Sequence, residues 1–204
     1  HNPDVSEGKN GIHDYSQWIR PPYEEYYKND EILPDDEYVV VYNQFGKDEM
    51  GKPLTRYFDL ECLYNIFNTL TENGYKVIYI RPGDTDFTLD QNDFNQQNIP
   101  AFGNGIYSDV DGIGFINDHE LTDYYDDVYS FNNLLEQHDY TFNELQLRVL
   151  ANAKSYVTIS GGSAILQLLY QRPTVIYATC NREVLPEYWE EKAYYQVISN
   201  NNAI

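Results

Sequence analysis

The feature that most restricts the fold of this 204-residue chain is a pair of short β-branched runs joined by an amphipathic helix. Tyr38-Val39-Val40-Val41-Tyr42 has no charged or amide face, the pattern of a strand buried on both sides in a parallel sheet. Asp59 can cap a helix in which Leu60, Leu63, Ile66, Phe67 and Leu70 recur at helical spacing, and Gly74 supplies its stop. Lys76-Val77-Ile78-Tyr79-Ile80 then reads as a second strand, ended by Arg81-Pro82-Gly83. A strand-helix-strand unit of this length closes as a right-handed crossover between parallel strands.

A second such unit lies near the end of the sequence. Phe142 to Ala153 reads as a helix, Tyr156 to Ile159 as a strand, Ala164 to Tyr170 as a helix and Thr174 to Tyr177 as a strand. Pro186 to Lys192 is expected to form a short helix, and Tyr195 to Ile198 a strand or a last ordered turn. Between the units, Asp84 to Gly112 is rich in Asp, Asn, Gln and Gly and reads as a long surface loop, followed by a short third strand at Ile113 to Ile116. The pattern predicts an α/β, Rossmann-like three-layer domain with a mostly parallel sheet over residues 37–204. Residues 1–36, polar and aperiodic, are expected to form an irregular N-terminal arm or linker with one short helix, docked through Trp18 and Ile19.

Composition limits the function classes. An apolar fraction of 42% supports a real core, whereas a formal charge of -20 with only 13 scattered Lys and Arg excludes a general nucleic-acid surface. Net acidity leaves an anionic ligand open, because helix-start N–H groups or one arginine supply local positive potential. Cys62 and Cys180 form no zinc-ligand spacing and are expected to be free thiols. No stretch approaches the roughly 20 apolar residues that span a bilayer, no signal-peptide core is visible in the first thirty residues, and no Asn-x-Ser/Thr site occurs. A cytoplasmic location is expected. The sequence begins at His1 rather than Met, so a segment of a longer protein is also expected.

In an open parallel sheet, ligands bind beyond the carboxyl ends of the strands. That rule nominates Asn43 to Gly46, Arg81 to Gly83, Ser160 to Ser163 and Ala178 to Glu183. Ser160-Gly161-Gly162-Ser163 is the most specific of these, since a strand runs directly into two glycines, a hydroxyl residue and an apolar helix. Glycine there either lets the backbone approach a diphosphate at a helix start or simply makes a tight turn with Ser163 as a cap. Neither a GxGxxG nor a GxxxxGK[ST] motif is present. Arg81 can clamp a phosphate or pair with a nearby acid. Asn43, with Gln44, can donate to a ligand or hold a loop. Glu144 can bond a ribose hydroxyl or favour a first helical turn without a ligand. His119 is a candidate general base or a surface or capping histidine. Asp109-Val110-Asp111 spells a DxD pattern, read either as a metal site or as turn-forming carboxylates.

From Glu144 through Tyr177 the sequence ELQLRVLANAKSYVTISGGSAILQLLYQRPTVIY resembles the donor-side half of GT-B glycosyltransferases, and YFDLECLYNIFNTLTENGYKVIYIRP, from Tyr57 to Pro82, is similar to the first βαβ unit of that half. Gly161-Gly162-Ser163 stands where His-Gly or Gly-Thr forms are common. The resemblance implies a nucleoside-diphosphate-sugar donor held at Ser160 to Ser163, with Arg81, Asn43 and Glu144 beside it. It also implies metal-independent transfer to a glycan or similar acceptor, as in polysaccharide biosynthesis, with no cofactor beyond the donor substrate. Such enzymes have two Rossmann-like domains, so a second domain outside this chain is implied. The rival readings are a metal-dependent glycosyltransferase using Asp109 and Asp111, and a non-catalytic nucleotide- or carbohydrate-binding module.

Overall fold

The computed structural model describes residues 21–28, 32–33, 37–44, 57–82, 106–178 and 194–199. Five parallel strands form the central sheet: β1 (Tyr38–Tyr42), β2 (Lys76–Ile80), β5 (Val128–Ser130), β6 (Ser155–Ile159) and β7 (Thr174–Tyr177). Their spatial order is β5-β2-β1-β6-β7. The chain builds outward from β1 to β2 and β5, then crosses back to lay β6 on the other side of β1. All five residues of β1 are buried, as are the last four of β2, which explains why these central strands have no polar face. At the edge, β7 alternates between buried and exposed residues.

Helices cover both faces. On one, α1 (Tyr23–Tyr27), α4 (Phe131–Gln137) and α5 (Phe142–Asn152) pack over Val40, Ile78, Ile80 and Tyr156. The strand register puts Ile176 on that same face, where α6 (Gly162–Leu168) and α7 (Tyr194–Ser199) bury it with Ala164, Leu168 and Ile198. On the other face α2 (Leu60–Glu72) and α3 (Asp118–Thr122) pack over Val41, Val77 and Tyr79. α2 has the ends its sequence predicts. Asp59 accepts from Cys62 N–H at 2.8 Å. Gly74, at φ 79°, lets its own N–H and that of Tyr75 return to the carbonyls of Thr71 and Leu70.

Two expectations are corrected. The strand at Ile113 to Ile116 is not in the main sheet: β3 (Tyr107–Val110) and β4 (Gly114–Asn117) form a separate antiparallel hairpin, whose Val110 and Ile116 pack on the α2 side. The third strand of the main sheet is instead β5, a three-residue element stabilised by its pairing with β2. Tyr194–Ser199 is helical, because the apolar side of α6 offers Ile198 a helix-packing surface rather than a free strand edge. The expected helix at Pro186 to Lys192, Trp18, Ile19 and Cys180 lie outside the described residues. The one short helix expected in the first 36 residues is α1. It sits against α5, with Glu24 bonded to Arg172 at 2.9 Å and Tyr27 O accepting from Asn152 at 2.8 Å.

Candidate functional site

Strand order reverses between β1 and β6, and the crevice that such a topological switch point leaves beyond the carboxyl ends of the strands is where open α/β sheets bind ligands. Two sequence-nominated segments meet there. Asn43 and Gln44 leave β1, and Ser160 to Ser163 leave β6. A Cβ built on Gly161 would lie 3.8 Å from Gln44 Oε1, so the two turns touch across the crevice. Ser160 N–H donates to Tyr177 O at 2.9 Å, which fixes the turn to the end of β7 as well.

The two glycines do different work. Gly161 caps α6 at φ 139° and ψ -162°, a region reached essentially by glycine alone. Gly162 has ordinary helical backbone and open space around its missing Cβ. The N–H groups of a first helical turn have no acceptor within the helix and point along its axis. Gly161→Ala is therefore expected to lower stability by about 1–3 kcal/mol in urea unfolding, with Gly162→Ala close to wild type.

Arg81 and Asn43 are placed beneath this crevice in a buried polar network. Asp118, fully buried, accepts from Arg81 Nε, from Tyr79 Oη at 2.7 Å and from Ile106 N–H at 2.9 Å. Asn43 Nδ2 donates to Tyr79 Oη at 3.1 Å and to Phe58 O at 2.9 Å, while its Oδ1 accepts from the amides of Phe58 and Gln44. Burial, and then the negative charge of Asp118, push the Tyr79 phenol well above its ordinary range, so it stays a neutral donor. The network ties the end of β1 to the loop entering α2, to the end of β2 and to the start of α3.

The other nominated residues are spread more widely. His119, in α3, packs its ring against Tyr79 with centroids 6.0 Å apart, and both ring nitrogens are shielded from solvent. Glu144 lies in the first turn of α5, paired with Arg148 at 2.8 Å, and its N–H is capped by Thr141 at 3.2 Å. Asp109 and Asp111 are exposed on the β3–β4 hairpin. Among the described residues no cluster of three His, Cys, Asp or Glu is gathered as a metal site, and no helix is long and apolar enough to cross a membrane. Sequence reasoning missed Tyr79 and Asp118 as organisers of the crevice floor. It also missed Tyr177, whose ring is 47% exposed beside Phe58, with centroids 5.6 Å apart. The alternating exposure expected of an edge strand was the available signal for Tyr177.

Together the parallel sheet and its flanking helices define a Rossmann-like α/β domain, an architecture consistent with nucleotide- and nucleoside-diphosphate-sugar-binding proteins in general. The architecture supports that class as a whole and does not single out GT-B. No family model, curated protein or solved structure matches the chain.

Proposed function

We propose that residues 37–204 form the donor-binding domain of a glycosyltransferase that holds a nucleoside-diphosphate sugar at the β1/β6 switch point. The observation carrying this reading is the meeting of the Gly161-Gly162 turn with Gln44 at the one place where the strand order reverses. The diphosphate rests on the backbone amides after Gly161, which favour the negative charge that develops on the leaving group. Gln44, exposed on the facing turn, is positioned to donate to it. Asn43 and Arg81 act from below by fixing the two loops. The sugar passes to a glycan or similar acceptor without a metal. The shielded ring nitrogens of His119 favour a base supplied by a second domain.

A thermal-shift panel of UDP-, GDP-, CMP- and ADP-linked sugars tests the reading, repeated with Gly162→Asp. Gly162 has room for a side chain, and a carboxylate in a first helical turn is compatible with the helix, so the variant folds while placing negative charge where the diphosphate sits. One donor at about 100 times its Kd should raise the wild-type Tm by roughly 5–10 °C, with the shift lost in the variant. No shift in the wild type, or an equal shift in both proteins, refutes the site. Manganese-dependent binding lost in Asp109→Ala and Asp111→Ala would move the donor to the hairpin. Binding without transfer or hydrolysis, in the presence of acceptor and any second domain, would make the chain a recognition module.

A further inference from the structure

The two faces of the β6–β7 pair are treated differently. On one, α6 and α7 bury Ile176. On the other, Val175 is 48% and Tyr177 47% exposed, although parallel sheets of this kind are ordinarily covered on both sides by helices. A groove of 580 Å³ lies there, floored by Val157 and Val175 and walled by Cys62, Asn65, Ile66, Thr69 and Leu70 of α2. Leu60, Leu63 and Phe67 of the same helix face the sheet, so Cys62, Ile66 and Leu70 form a second apolar stripe turned along the groove. Two strands span about 10 Å, the lateral width of one helix.

The rim selects the charge of the occupant. Asp59 and Glu61 line the groove beside the first turn of α2, and among the described residues no lysine or arginine lines it. A second copy of the chain packed here about a two-fold axis would bring its own acidic rim towards this one, within a protein already carrying a charge of -20. Burial, followed by the charges of Asp59 and Glu61, raises the Cys62 thiol pKa, so Cys62 stays neutral in the wall of the groove.

We infer that this face docks an amphipathic helix from a partner chain, its apolar stripe lying between α2 and β7 and its lysines or arginines meeting Asp59 and Glu61. The helix completes the outer layer over β6 and β7. The inference does not depend on the nucleotide site.

The probe is a helical peptide of 13 residues, the length of α2, with Leu at helical spacing and Lys on the flank. A scrambled peptide of identical composition serves as the charge control, and both are titrated into the full chain by calorimetry. The amphipathic peptide should bind, and binding should weaken by about tenfold or more in Val175→Asn and in Ile66→Asn. Val175 is half-exposed, so its variant retains the fold even if Ile66→Asn does not. Asp59→Asn with Glu61→Gln keeps the helix cap and should weaken binding while flattening its salt dependence. Absence of binding, equal binding of the scrambled peptide, or Val175→Asn binding like wild type overturns the proposal. So does a dimer of the wild-type chain in light scattering that Val175→Asn dissociates.

Discussion

Asp118→Ala is expected to lower the unfolding free energy by about 3–5 kcal/mol, a third or more of the 5–15 kcal/mol typical of a domain. The loss has three parts. The Arg81 guanidinium, on a side chain 3% exposed, loses its paired carboxylate. Tyr79 Oη loses its acceptor in a site that disfavours its ionisation, and Ile106 N–H loses its partner. Urea unfolding followed by circular dichroism measures the effect, and an Asp118→Ala midpoint within 1 kcal/mol of wild type contradicts the network's role. The double variant Arg81→Met/Asp118→Leu should recover the Arg81 part of the loss, because removing both charges removes the desolvation penalty along with the attraction, while Tyr79 Oη and Ile106 N–H still lack their acceptor. That variant also separates two roles of Arg81. If the arginine only positions loops, nucleotide affinity is retained; if its guanidinium reaches the diphosphate, affinity falls while stability holds.

A loss of similar size, about 3–5 kcal/mol, is expected for Phe67→Ala. Phe67 is fully buried where α2 meets the sheet, edge-on to Tyr79 at 5.5 Å and to Tyr125 at 5.8 Å. Removing the ring leaves a cavity under the middle of α2 and ends both aromatic contacts, each worth about 0.5–1.5 kcal/mol beyond burial. Phe67→Leu fills most of the space and should cost much less. Calorimetric unfolding of the two variants distinguishes packing from any local helix effect, since Ala is the better helix former and would be the less damaging of the two if propensity decided. A Leu variant as damaged as the Ala variant would mean the ring geometry, not the volume, holds α2 in place.

Much of the sheet is legible in the sequence because its central strands carry their environment in their composition. A run such as Tyr38–Tyr42, apolar or aromatic throughout, fits only where both faces are covered. α2 is equally legible, with Asp59 at one end, Gly74 at the other and a 3.6-residue stripe between. β5 is not. Its three residues, Val128–Ser130, follow an acidic turn and have no period long enough to read, and they are a strand because β2 offers them an unpaired edge. The β3–β4 hairpin was obscured in the same way by its glycines, Gly112 at φ 79° and Gly114 at φ 108°, which shape the hairpin while looking like loop composition.

The candidate site divides along a similar line. Gly161-Gly162 is visible as a turn into a helix, since glycine at a strand end is informative by itself. The partner of Arg81 is not visible, because Asp118 lies 37 residues away and becomes a neighbour only when α3 packs beside the end of β2. Local pattern specifies two βαβ units and a backbone turn of special geometry after the strand at Tyr156 to Ile159. The placement of β6 against β1, which brings Gly161 to Gln44, arises only when the elements pack together. The physical reason is that a strand apolar on both faces fits any interior place in a sheet, so its neighbours are chosen by crossover handedness and by the helices packed over it, which local sequence does not encode.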